Sequence, residues 1–193
     1  VNTKGGDTEP ANLAMALAEI RLLTAYEEER MPVCILRAGL VVGEGGPLFP
    51  TAIGQLVNGR HCLGWNRGAT PLPFVLVEDI AAACLSAAHA PDINGRCFNL
   101  VGDVRLSARE YVEELAKALG RPLLFHPRST KRIYAEQLRN WLLDRDEGAE
   151  RPSLAILRSR AMRATLECSD AKRLLGWTPV GDRTTFITKA IHV

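Results

Sequence analysis

At 193 residues, with 47% hydrophobic and 24% charged residues, the chain has the size and balance of an ordinary globular domain with room for a sizeable core. Its 24 basic and 22 acidic residues leave a formal charge of +2, which gives no electrostatic ground for a nucleic-acid partner or an anionic membrane surface. No apolar run approaches the roughly 18 residues needed to span a bilayer, and no signal-peptide pattern opens the chain, so a soluble, cytoplasmic protein is expected.

Residues 1–10 are polar and read as a loop. Ala11 to Arg30 reads as a helix: Leu13, Leu17, Ile20 and Leu23 recur at three- and four-residue spacing, and Pro32 closes it. The apolar run Val33 to Val42, bounded by Pro and Gly, has the pattern of a strand covered on both faces in a parallel sheet. Leu48 to Asn58 is expected to be a helix and His61 to Pro73 a loop. Phe74 to Val77 is a short strand, and Glu78 and Asp79 open a helix to about Ala90, where acidic residues suit the dipole. Arg96 to Val101 is a third strand. Ser107 and Glu110 form a capping box for a helix that Gly120 stops. A charged helix from about Lys131 to Asp146 follows, then a linker over 148–152. A short helix capped by Ser169 ends at Gly176, and a last one spans about Asp182 to Ile191. Three strands alternating with more numerous helices make an α/β chain. The 33–42 strand wants more sheet neighbours than these provide. That need, with Val1 in place of a methionine, leads to the expectation that the native polypeptide starts upstream.

The five cysteines (34, 62, 84, 97 and 168) are odd in number and form no C-x-x-C pair, so buried free thiols are expected rather than a disulfide or metal site. No His/Cys/Asp set has metal-ligand spacing. Gly43-Glu-Gly-Gly46 follows a strand, but Pro47 and the spacing make it a turn rather than a phosphate cradle. Arg37, in an apolar strand, needs a partner, either a cofactor or a carboxylate. Asp79 reads as a helix N-terminal carboxylate and Asn99 as a backbone tie. His126, beside Pro127, reads as a loop residue. Arg128, Lys131, Arg132, Arg139 and Arg145 interleave with Asp144, Asp146, Glu147 and Glu150 as a solvated charged face.

Four segments in order carry a resemblance. Ile35-Leu-Arg-Ala-Gly-Leu-Val-Val-Gly43 is similar to an L-R-P-x-x-V-x-G segment, and Phe74-Val-Leu-Val-Glu-Asp-Ile-Ala81 to V-x-V-x-D-x-A. Gly95-Arg-Cys-Phe-Asn-Leu-Val-Gly102, with Ser107, Glu110 and Tyr111, is similar to G-x-x-F-N-x-x-G…S-x-x-E-Y. Leu175-Gly-Trp-Thr-Pro179 matches a closing L-G-W-x-P turn. Together they resemble the C-terminal portion of the extended short-chain dehydrogenase/reductases, the NAD-dependent epimerase/dehydratase family.

The resemblance implies the C-terminal part of a Rossmann-like doubly wound parallel sheet plus a small, mostly helical substrate-binding lobe. Residues 11–102 would be the last part of the sheet domain and 103–193 mainly the lobe. It implies NAD or NADP in the complete enzyme, with none held tightly by this chain alone, because the Gly-rich cofactor turn is absent. It also implies a small-molecule substrate such as a sugar nucleotide, and a homodimer in which the first helix is the one to suspect. The family's Tyr and Lys, an acid/base and the cation that lowers its pKa, map onto Ala11 and Met15, which can do neither job. No catalytic residue is therefore expected, and the chain alone is expected to be inactive. Ala38, Leu40 and Leu72 also depart from the Pro, Asn and Arg of sugar-nucleotide epimerases. The cofactor-side candidates are Arg37, Gly39 and Val41, and the substrate-side candidates His61, Trp65 and Asn66. Two functions remain open: part of an NAD(P)-dependent epimerase, dehydratase or reductase, or a degenerate binding or scaffolding module of the same fold.

Overall fold

The computed structural model describes residues 10–143, 151–154, 156, 157 and 166–192, with backbone only at 10 and 11. Helix α1 spans Pro10–Glu29. It closes two residues before Pro32, where Arg30 turns left-handed (φ 58°) and the Met31 amide reaches back to the Ala25 carbonyl at 3.3 Å.

The apolar run that follows forms two strands rather than one, β1 (Cys34–Ala38) and β2 (Leu40–Val42), divided at Gly39. Their neighbours differ. Strand β1 runs parallel to β6 (Arg96–Leu100), and β2 runs parallel to β5 (Phe74–Leu76). At the change of partner the Gly39 amide donates to the Leu100 carbonyl (2.9 Å) and the Leu40 amide to the Pro73 carbonyl (2.7 Å). A Cβ at Gly39 would overlap that Pro73 oxygen, so only glycine lets the two backbones come this close.

Coverage on both faces, expected for residues 33–42, is instead the property of β5. Phe74, Val75 and Leu76 are fully buried and alternate between two cores, as the two-residue period of a strand requires. Phe74 and Leu76 face Tyr111, Val112, Leu115 and Phe186, while Val75 faces Ala83, Phe98, Ala171 and Trp177. In β1–β2, Arg37, Ala38 and Val41 are exposed, because each of these strands has one hydrogen-bonded neighbour among the described residues.

Helix α2 (Val77–His89) leaves β5 directly, with Glu78 and Asp79 in its first turn. Asp79 is buried and accepts from the Val180 amide at 3.2 Å, and the Trp177 indole donates to the Asp79 carbonyl at 2.8 Å. The closing turn is thereby pinned to the start of α2. Desolvation raises the Asp79 pKa while the Val180 amide pulls it back. Helix α3 (Ala108–Ala118) begins with both halves of the Ser107–Glu110 capping box, and Gly120 follows it left-handed.

The expected 48–58 helix is absent. Residues Gly54–Val57 form β3 and His61–Trp65 form β4, an antiparallel hairpin where a helix and a loop were expected. Its turn is Asn58-Gly59, both with positive φ (50° and 65°), closed by the Arg60 amide on the Val57 carbonyl. Asn-Gly is the preferred sequence for such a mirror-image turn, and that local chemistry overrides the weak helical spacing of Leu48 to Asn58. Leu124–Arg128 forms β7, parallel to β4, so His126 is a strand residue and not a loop residue. Seven strands rather than three are present among the described residues.

Thr130–Leu143 is α4, Ser169–Leu175 is α5 and Arg183–Ala190 is α6. The N-cap of α5 is Cys168 rather than Ser169, whose amide instead donates to the Glu167 carboxylate at 2.9 Å. The expected N-terminal loop, Arg145 and the carboxylates at 144, 146, 147 and 150 lie outside the described residues, as does most of the linker. All five cysteines are free, but only Cys62 and Cys168 are buried, and Cys84 is exposed on α2.

Candidate functional site

The loop from Asn66 to Pro73 leaves the end of β4 and is tied down at both sides. The Asn66 amide donates to the Arg128 carbonyl on β7 (2.9 Å), the Arg109 amide of α3 donates to the Gly68 carbonyl (3.0 Å), and Leu72 donates to Leu106 (2.8 Å). Beneath the loop lies the Phe125 ring, occupying the space where Gly64 and Gly68 would carry Cβ atoms. The Arg109 guanidinium stands 5.4 Å from the ring centre and donates to the Arg67 carbonyl at 3.4 Å.

These restraints leave a cleft of about 660 Å3 between the loop (Asn66, Arg67, Ala69, Thr70, Pro71) and Pro127 and Ser129 beyond β7. Arg109 is spent on the loop itself, so Arg67 is the cation of the lining. Asn66, Thr70 and Ser129 offer hydrogen bonds, and the two prolines offer flat apolar surface. Such a lining suits a ligand with a flat ring, hydroxyls and an anionic group. Among the described residues the lining is made of hydrogen-bonding, cationic and apolar side chains, which suit binding.

The other sequence candidates are distributed. His61 lies half-buried on the outer face of β4, its Nδ1 2.9 Å from His126 Nε2. Trp65 donates from Nε1 to the Thr51 carbonyl (3.3 Å) and lines a narrower cleft against α4. Asn66, at φ 51°, is the one substrate-side candidate in the larger cleft. Arg37 makes a two-nitrogen contact with Glu19 of α1 (Nη2–Oε2 2.6 Å), which holds the Glu19 carboxyl below its ordinary pKa. A carboxylate partner for Arg37 is thus present within the fold. Gly39 sits at the β1–β2 junction and Val41 on the exposed side of β2, and neither contributes to the cleft lining. Met15 is 68% exposed on α1, one turn from Ala11, whose side chain lies outside the described residues.

The Gly43–Pro47 turn has few amides to give a phosphate. The Gly46 amide is used by the Gly43 carbonyl (3.1 Å), and Pro47 has no N–H to give. Among the described residues no group of three or more His, Cys, Asp or Glu could hold a metal. Among the described residues no helix is long and apolar enough to cross a membrane.

The family model of the NAD dependent epimerase/dehydratase family matches residues 14–101. Over that stretch the chain is similar to this family. Comparison with curated proteins found no match. The fold likeness extends further than the family match. UDP-glucuronic acid 4-epimerase from Bacillus cereus, solved with NAD, superposes with a TM-score of 0.65 at 14% identity over 95% of this chain and 51% of that one. The dTDP-glucose 4,6-dehydratase of Bacillus anthracis, also with NAD, gives 0.62 at 18% identity over 95% and 50%. RMD from Pseudomonas aeruginosa, complexed with NADPH, gives 0.64 at 15% identity over 95% and 55%. The Bacillus cereus epimerase has also been solved with UDP-glucuronic acid and NAD together. The chain thus has the epimerase Rossmann-like α/β fold and spans about half the length of these structures.

Arg67, Thr70 and Ser129 were not legible as lining residues, because a cleft formed by a loop and the end of a distant strand leaves no periodic signal. His126 had a signal that Pro127 masked: in Leu124-Phe-His-Pro-Arg128 the side chains alternate, as in a strand.

Proposed function

We propose that this chain supplies the substrate-binding half of an NAD(P)-dependent epimerase, dehydratase or reductase acting on a sugar nucleotide, and that it does not turn over alone. The observation that carries this reading is the Asn66–Pro71 cleft, whose cation, hydroxyls and proline walls suit a nucleotide diphosphate sugar, in a fold shared with enzymes solved with NAD and UDP-sugars. The open side of β1–β2 and the exposed apolar residues Met15, Leu17, Ile20 and Leu22 of α1 support the need for a complementary half. A homodimer through α1 is the competing use of the same face.

A second reading, a binding module that has lost its chemistry, is favoured by Ala11 and Met15 at the positions of the acid/base Tyr and its Lys. Calorimetric titration of the full polypeptide with UDP tests the shared part: saturable binding weakened about tenfold by Arg67→Ala is expected for a lost charge-assisted contact. No saturation at millimolar UDP would remove both readings. Assay with UDP-glucuronic acid and NAD then separates them. Turnover by the natural full polypeptide supports the enzyme reading, whereas turnover appearing only in Ala11→Tyr/Met15→Lys supports the binding module that lost its pair.

A further inference from the structure

The outer face of the β3–β4–β7 sheet carries a second cleft of about 550 Å3, lined by Val57, His61, Leu63, His126, Pro127, Arg128 and Arg132. Its floor is the His61–His126 pair. The ring centres are 5.1 Å apart and the facing nitrogens 2.9 Å apart. That separation is close to the nitrogen–nitrogen distance plus two ring radii, the most it can be, so the nitrogens point at each other nearly head-on. Two ligands of one metal ion would instead converge on a point between and in front of them. The contact is an N–H···N hydrogen bond.

Such a bond constrains the protons. Two neutral imidazoles carry one N–H each. One is used between the rings, so one outward nitrogen donates and the other accepts. A single added proton makes both outward nitrogens donors and leaves the central bond intact, whereas a second would set two N–H groups against each other. The geometry of the pair therefore accommodates one added proton and no second.

The surroundings favour an anion. Arg128 Nη1 and Arg132 Nε both donate to the Glu136 carboxylate (3.0 and 3.2 Å), so one carboxylate answers two guanidiniums, and these bonds occupy one nitrogen of each. Glu136 is the sole acidic residue in β3, β4, β7 or α4. Among the described residues, exposed Arg60 in the turn before β4, Arg121 against Gly59 and Lys131 beside Arg132 add further basic charge. Gln55, Val57 and Leu63 add no charge.

We propose that the His61–His126 pair, with Arg128 and Arg132, is a proton-linked binding site for a phosphate-like oxyanion carried by a small molecule, separate from the Asn66–Pro71 cleft. Anion binding fixes the extra proton on the pair, and by reciprocity protonation strengthens anion binding by the same factor.

The test is calorimetric titration of the full polypeptide with sulfate, which does not itself titrate between pH 5.5 and 8.5, in buffers of different ionisation enthalpy. Saturable binding at least about tenfold weaker at pH 8.5 than at 5.5, with about one proton taken up, is expected from the linkage. His61→Gln and His126→Gln each abolish the pH dependence, while His89→Gln leaves it. Arg132→Gln, at a side chain 72% exposed and so without consequence for folding, weakens binding about tenfold at pH 5.5 and keeps the pH dependence. Displacement of sulfate by inorganic phosphate or glucose 1-phosphate supports the assignment, and the tighter of the two names the source of the oxyanion. Affinity that is flat with pH, unchanged in both histidine variants, or undisturbed by either phosphate overturns it.

Discussion

The parallel layer of β1, β2, β5 and β6 and the three-stranded β3–β4–β7 sheet solve the same problem in opposite ways. In the parallel layer helix α2 carries the chain from β5 to β6. Strand β5 divides two cores, and one edge, β1–β2, is left with exposed Arg37, Ala38 and Val41. In the other sheet a two-residue turn makes the hairpin, β7 joins it from 59 residues further on, and one face is given to the core through Cys62 and Phe125. Its outer face carries His61, His126 and Arg128. The first region is built to be covered further, and the second to present side chains to a ligand. The difference lies in where each places its backbone obstacles, and it can be probed there.

The largest effect is expected at the close approach in the parallel layer. Gly39→Ala drives a methyl into the Pro73 carbonyl oxygen, which cannot yield without breaking the Leu40–Pro73 and Gly39–Leu100 bonds. A loss of about 3 kcal/mol in urea unfolding is expected for such overpacking. Gly64→Ala, at β4, meets the end of the Phe125 ring instead, a side chain that can slide toward Arg109. About 1–2 kcal/mol is expected there. An equal or reversed order would mean that the two sheets are equally rigid and would remove the contrast.

Next comes the joint between the regions. The Tyr111 hydroxyl donates to the Leu48 carbonyl (3.0 Å) while its ring stacks on Phe74 (centres 5.1 Å), and burial pushes its pKa up to about 12. Tyr111→Phe keeps the stack and strands a carbonyl, which costs about 1 kcal/mol. A cost near zero would show that water replaces the hydroxyl and that the joint is looser than the geometry indicates.

Acid stability separates the regions by sign. Glu110, held below its ordinary 4.5 by the Ser107 amide and hydroxyl, adds stability that is present above that value and lost as pH falls through its folded pKa. Asp79, raised above 3.8 by burial, does the reverse: its contribution falls as pH rises through its folded pKa. Relative to the natural sequence, Glu110→Gln should therefore lose stability between pH 4 and 7 and Asp79→Asn should gain it. Melting temperatures across that range that run parallel in all three proteins would refute both assignments.

The smallest effect belongs to the open edge. The Arg37–Glu19 pair is bidentate but solvent-accessible, so Arg37→Ala should cost less than about 1 kcal/mol and less still in high salt. A larger, salt-insensitive loss would mean that this edge is covered in solution.

Legibility followed the same division. In the parallel layer the signals are local: the apolar runs at 33–42, 74–77 and 96–101, the Ser107–Glu110 box, and the Gly176 stop all formed within a residue or two of expectation. The hairpin was missed although Asn58-Gly59 marks its turn, because Leu48 to Asn58 also fits a weak helical spacing. Strand β7 was missed because Pro127, tolerable at a sheet edge, reads as a breaker. Of the site candidates, His61, Trp65 and Asn66 stand on or beside β4 but serve three different clefts.

By itself the sequence determined the parallel strands and the helices that follow them, the Ser107–Glu110 capping box, the glycine stops and the family resemblance, since each depends on residues a few positions apart. Only the tertiary structure decided that β1–β2 changes neighbours at Gly39, that β5 rather than residues 33–42 is covered on both faces, and that His61 meets His126. The Leu40–Pro73, Gly39–Leu100 and His61–His126 contacts join residues 33, 61 and 65 positions apart. Which surfaces such segments present to each other depends on the packing of the whole chain, and no local pattern encodes it.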